Sequence, residues 1–82
     1  TPEPGKRTFP INLQNLKNGL VVSDDEVKSS IKFFAEHLKI IIEPGGAVAA
    51  TAALTKKIDL KNKNVVVMIS GGNIDLDMFA NL

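Results

Sequence analysis

The sequence predicts an α/β fold: part of a mostly parallel sheet with flanking helices. Three observations carry this expectation. The elements read as strand, helix, buried strand, small-residue helix, buried strand, the alternation of parallel α/β architectures. The run Val65-Val66-Val67-Met68-Ile69 is continuously apolar, as in a strand covered on both faces. The tetrapeptide Ser23-Asp24-Asp25-Glu26 has the form of a capping box and places a helix start without ambiguity.

Taken in order, residues 1 to about 10 hold three prolines and one glycine and read as an extended connection. Ile11, Leu13 and Leu16 suit a short helical turn closed by Asn18-Gly19, so residues 1–19 form one connecting unit and 20–82 the α/β segment. Leu20-Val21-Val22 reads as a brief strand. In the capping box the Ser23 hydroxyl and the Glu26 carboxylate each satisfy a backbone N–H that the first helical turn leaves unpaired. Val22 and Val27 occupy the hydrophobic-staple positions, and Asp24 and Asp25 complement the helix dipole. Capping accounts for the whole acidic cluster, so no metal site is read there. Val27, Ile31, Phe34 and Leu38 follow at spacings that make one apolar helix face, while the adjacent Phe33 points elsewhere.

Ile40-Ile41-Ile42 is a second buried extended run, ended by Glu43-Pro44-Gly45-Gly46. Proline suits the first turn of a helix, and the alanines at 47, 49, 50, 52 and 53 allow that helix to approach a sheet closely. Lys56 and Lys57 follow its end, and Lys61-Asn62-Lys63-Asn64 is a polar turn, so these lysines read as solvated turn residues. Ile74 to Leu82 suits a short terminal helix with Asp75 and Asp77 at its start. Right-handed crossovers bring the three strand ends, with Ser23, Glu43 and Ser70, to a common edge where two of the three converge.

Composition narrows the function. Eighty-two residues make at most one domain, and a chain of this size buries only about 60% of its unfolded surface. No cysteine is present, which excludes disulfides and thiolate-bound zinc or iron–sulfur clusters. A formal charge of +1, with neither tryptophan nor tyrosine, argues against nucleic acid and anionic membranes as partners. The apolar stretch from Ile40 to Leu54 is interrupted by Glu43, Pro44 and two glycines and falls short of the ~20 residues of a membrane span. The start of the chain is polar and carries no signal peptide, so a cytoplasmic location is expected. His37, near the end of the capped helix, reads as a surface histidine in preference to a general base.

The most informative motif is Ser70-Gly71-Gly72-Asn73, at the end of the 65–69 run. Ligands of open α/β sheets bind beyond the carboxyl ends of the strands. A hydroxyl beside two residues without side chains suits a group held close to the backbone, although a plain glycine turn leaving a strand has the same composition.

Ile42-Glu43-Pro44-Gly45-Gly46-Ala47, the lysine-rich turn, the 65–69 run and Ser70-Gly71-Gly72-Asn73-Ile74-Asp75 together resemble the C-terminal part of the catalytic domain of pyridoxal-phosphate-dependent serine/threonine dehydratases. That family includes threonine ammonia-lyase and serine racemase. The resemblance implies a tryptophan-synthase-β-like fold, pyridoxal 5'-phosphate as cofactor, an amino-acid substrate deaminated to a 2-oxo acid and ammonia, and a homo-oligomer for the full-length protein. It also implies that Ser70 hydrogen-bonds the pyridine nitrogen, that Gly71 and Gly72 keep side chains off the ring, and that Glu43 lies near it. Gly45 stands where the family usually has serine. The family's Schiff-base lysine and phosphate-cradling loop have no match here, so no catalytic residue is assigned within this chain. The expectation is therefore a fragment, inactive alone, whose partner is the remainder of the catalytic domain. Serine racemase, hydroxyaspartate dehydratase and a non-catalytic α/β interaction module are the alternatives.

Overall fold

Ser23 starts α2 (Asp24–Phe33) as its sequence requires. In the computed structural model, which describes residues 2–82, the Glu26 N–H donates to the Ser23 hydroxyl and the Ser23 N–H donates to the Glu26 carboxylate, each at 3.1 Å. The other elements are α1 (Thr8–Asn15), a π-helical turn (Phe34–Leu38), α3 (Pro44–Leu54) and α4 (Leu76–Ala80). Turns and irregular segments join them.

The core lies where α2 crosses α3. Val27, Ile31, Ile42 and Ala47 form it, with Ile31, Ile42 and Ala47 sealed completely. Val22, Phe34, Ile69, Phe79 and Leu82 pack around this cluster, so the staple pair Val22 and Val27 is brought together. Gly46, Ala47, Ala50, Thr51 and Ala52 are the buried positions of α3, small enough for α2 to approach closely. Thr51 satisfies its buried hydroxyl by donating to the Ala47 carbonyl at 2.7 Å. Across the α2–α3 junction the Lys57 ammonium reaches the Glu26 carboxylate at 3.0 Å. Lys57 is thus an ion-pair partner, a correction to its reading as a solvated turn residue, and Lys63 also donates to the Asp59 carbonyl at 3.3 Å.

The expected sheet is not formed by this chain alone. Residues 20–22, 40–42 and 65–69 lie outside the helices, but among the described residues none is a paired strand. One backbone bond links the second and third of these stretches near their ends, from the Glu43 N–H to the Gly71 carbonyl at 3.1 Å. A parallel ladder requires neighbours in register and helices over both faces. The molecule measures 39 × 35 × 19 Å, its short axis about two layers thick. Val66 and Met68 therefore stand 92% and 73% exposed, while Val67 and Ile69 are half-buried. The 65–69 run is covered on one face and bare on the other, and Ile40 and Ile41 are likewise exposed.

Two helical details also depart from expectation. Helix α1 begins at Thr8, inside the stretch expected to be extended, because Pro10 takes its third position, where no intrahelical N–H is needed. None of its residues is buried. Beyond Phe33 the capped helix widens into a π-turn closed by Lys39 at a left-handed φ of 58°, which carries Leu38 off the apolar stripe and into solvent. Asp75 caps α4 by accepting from the N–H groups of Asp77 and Met78 at 2.8 and 3.2 Å.

The hydrogen bonds from Lys57 and from the Ser23 N–H and hydroxyl hold the Glu26 carboxyl at about 2, below its usual 4.5. Its contribution to stability is complete above pH 4.5 and is lost as pH falls toward about 2. Glu26→Gln should flatten that part of an acid-unfolding curve followed by far-UV circular dichroism. Ser23→Ala should cost about 1 kcal/mol, read as a lower urea midpoint.

Candidate functional site

The two motifs singled out in the sequence meet. Glu43 precedes α3 in extended conformation (φ −78°, ψ 160°) and its side chain does not cap the helix. Its N–H donates to the Gly71 carbonyl, and its half-buried carboxylate covers the α-carbon of Gly71, in the space that a Cβ would take. On the next residue, a Cβ at Gly72 would collide with the Ile41 carbonyl oxygen. No described glycine has a positive φ, so close approach, and not left-handed backbone, is what demands glycine here.

Ser70 is exposed and lines an open groove of about 630 Å³ with Gly45 and Gly46 of α3. The rest of the groove is largely apolar, from Val48, Ala49 and Ala52 on the helix to residues 65–68 opposite. Ser23, the third residue expected at this edge, is engaged in its capping box and stands outside the groove lining. The convergence is therefore between the glutamate and the glycine turn, with Ser70 at the groove rim. Gly46 and Ile41 also lie against the turn; the motif Ile42–Ala47 includes Gly46, but the sequence reading gave neither residue a role. The signal for Gly46 was the pair of glycines after Pro44, residues a helix tolerates poorly unless space forbids a side chain.

Other candidates have ordinary surroundings. His37 is exposed, its ring 4.7 Å from that of Phe33. Among the described residues no group of three His, Cys, Asp or Glu side chains is arranged to hold a metal, and no helix is long and apolar enough to cross a membrane.

Comparison with known proteins identifies the family. The family model described as pyridoxal-phosphate dependent enzyme matches residues 1–71. Serine racemase of Schizosaccharomyces pombe is 40% identical over 81 residues, 99% of this chain and 25% of that protein. L-threo-3-hydroxyaspartate ammonia-lyase of a Pseudomonas species is 34% identical over 82 residues, all of this chain and 26% of that protein. L-threonine ammonia-lyase of Thermotoga maritima is 38% identical over 76 residues, 93% of this chain and 19% of that protein. The chain thus spans about a quarter or less of the length of these curated relatives. It belongs to the pyridoxal-phosphate-dependent enzyme family, whose cofactor is pyridoxal phosphate.

The unequal surroundings of the glycines lead to a stability prediction. Gly72→Ala drives a methyl into the Ile41 carbonyl and should cost about 2 kcal/mol, as overpacking does. Gly45→Ala meets nothing within 4 Å and should be neutral or stabilising by up to about 1 kcal/mol. Urea midpoints of the two variants check the contrast.

Proposed function

From membership of that family we propose that this chain is the C-terminal segment, residues 20–82 after a connecting stretch 1–19, of the catalytic domain of a serine/threonine dehydratase. The whole enzyme deaminates L-threonine or L-serine to a 2-oxo acid and ammonia in the cytoplasm. The observation that carries the reading is the junction of Glu43 with the 70–73 turn, two motifs far apart in sequence that share one hydrogen bond and one packed surface. In the complete protein, residues 65–69 form a strand of a parallel, tryptophan-synthase-β-like sheet, whose other layer covers Val66 and Met68.

The residues present fit the ring of pyridoxal phosphate better than its phosphate. They comprise one exposed hydroxyl, a stretch of bare backbone and a carboxylate, and a carboxylate beside a phosphate would repel it. When bound, the cofactor supplies an electron sink for the carbon that loses its proton. Ser70 would offer a neutral hydroxyl to the ring nitrogen, which would hold that nitrogen without forcing its protonation. This moderates the sink and suits loss of a β-hydroxyl group. Gly71 and Gly72 would keep side chains off the ring, and Glu43 would lie near it. The three relatives act, by their names, on serine, hydroxyaspartate and threonine, which share a 2-amino-3-hydroxy acid core. That shared core supports a hydroxy amino acid as the substrate.

The full-length protein purified from its gene should carry bound pyridoxal phosphate and release 2-oxo acid from L-threonine or L-serine in a coupled dehydrogenase assay. Ser70→Ala should lower kcat about tenfold, the size of one lost hydrogen bond. Formation of D-serine without 2-oxo acid assigns the racemase activity instead, and a full-length protein that binds no pyridoxal phosphate overturns the reading.

A further inference from the structure

The two glycines after Pro44 are not equivalent. A Cβ built on Gly45 meets nothing within 4 Å. One built on Gly46 lies 2.6 Å from the Gly71 carbonyl oxygen, 2.9 Å from the Gly71 nitrogen and 3.3 Å from Ile42 Cγ2. The two shortest separations are to backbone, which cannot swing aside as a long side chain can.

We propose that Gly46 is a positioning residue of the cofactor site. Its bare α-carbon seats the first turn of α3 on the Gly71 peptide and thereby sets where Glu43 stands against the 70–73 turn. The proposal rests on the reading of Glu43 and Ser70–Gly72 as cofactor-facing residues.

The Gly71 carbonyl is engaged twice. It accepts the Glu43 N–H at 3.1 Å, and its oxygen lies against the buried α-carbon of Gly46. A methyl group on Gly46 must push this peptide away. The helix cannot retreat instead, because Ala47 and Ala50 are buried one step further along α3, in the layer that packs on α2. The displacement therefore falls on the turn. It lengthens the Glu43–Gly71 bond, moves the carboxylate off the Gly71 α-carbon and shifts Ser70 along the groove that it shares with Gly46. Glycine at this position also weakens the start of α3 relative to alanine, a cost that only close contact offsets.

The test uses the full-length protein and begins without cofactor. Site-resolved hydrogen exchange should show the Glu43 amide exchanging at least about tenfold faster in Gly46→Ala, the change expected for loss of one hydrogen bond, and unchanged in Gly45→Ala. With pyridoxal phosphate added, Gly46→Ala should weaken its binding at least about tenfold and shift its visible absorption band. A lower unfolding midpoint with an unaltered Glu43 amide and an unaltered band makes Gly46 a packing residue only and overturns the proposal.

If Ser70→Ala alters the band and Gly46→Ala does not, the positioning role alone falls. If neither alters it, the assignment of this turn to the cofactor falls as well. Should Gly46→Ala fail to fold, Gly71→Ala serves in its place, since its methyl meets only the movable Glu43 carboxylate. That variant should keep the Glu43 amide protected and still shift the band, and an unshifted band overturns the proposal.

Discussion

The contact between the start of α3 and the Gly71 peptide is the constraint on which the arrangement depends. It consists of one hydrogen bond, from Glu43 to Gly71, of two α-carbons, at 46 and 72, that come too close to neighbouring backbone to carry a side chain, and of a third, at 71, that the Glu43 carboxylate covers. N-terminal to it the capped α2 packs on α3, and C-terminal to it α4 follows the 70–73 turn and returns Phe79 and Leu82 to the core. Besides this contact, Ile69, Phe79 and Leu82 hold the C-terminal part of the chain on the core. The glycines thus have a steric purpose within the chain, independent of any ligand they face.

The same contact gives the candidate turn its support. The α2–α3 layer supplies a rigid support, with Ile31, Ile42 and Ala47 sealed from solvent. The turn that carries Ser70 lies across the end of this support, where α3 begins, and Ser70 itself remains accessible. Rigid elements beneath an exposed polar turn are the arrangement that functional groups require to keep their geometry. The bare faces of 20–22 and 65–69 are the counterpart: Val21 and Val66 are 85% and 92% exposed because a two-layer slab can cover a strand on one side only.

Local signals proved readable where the interacting groups are close in sequence. Ser23 and Glu26 satisfy each other's turn, Asp75 accepts from the N–H groups of Asp77 and Met78, and Pro44 opens α3, each within four residues. The apolar stripe held for Val27, Ile31 and Phe34 but failed at Leu38, since the widening to a π-turn leaves no mark in residue periodicity. The Lys57–Glu26 ion pair escaped for a related reason: Glu26 lies on α2 and Lys57 just beyond the end of α3, and only the packing of α2 on α3 brings them to 3.0 Å.

By itself the sequence determined the starts of α2, α3 and α4, the capping of α2 and the two motifs of the candidate site, because each is encoded by residue types within a turn or two of one another. It also determined the chemistry available there, a hydroxyl, bare glycines and a carboxylate, since these are properties of the residues as such. Tertiary structure alone decided that Glu43 lies on Gly71, that Ser23 stays with its own helix, and that Gly46 and not Gly45 is where no side chain fits. It also decided that the three apolar runs do not pair as strands among the described residues. The physical reason is common to all of these: strand pairing and close backbone approach are set by atoms distant in sequence, and a β-branched run specifies only its readiness to be covered, not what covers it.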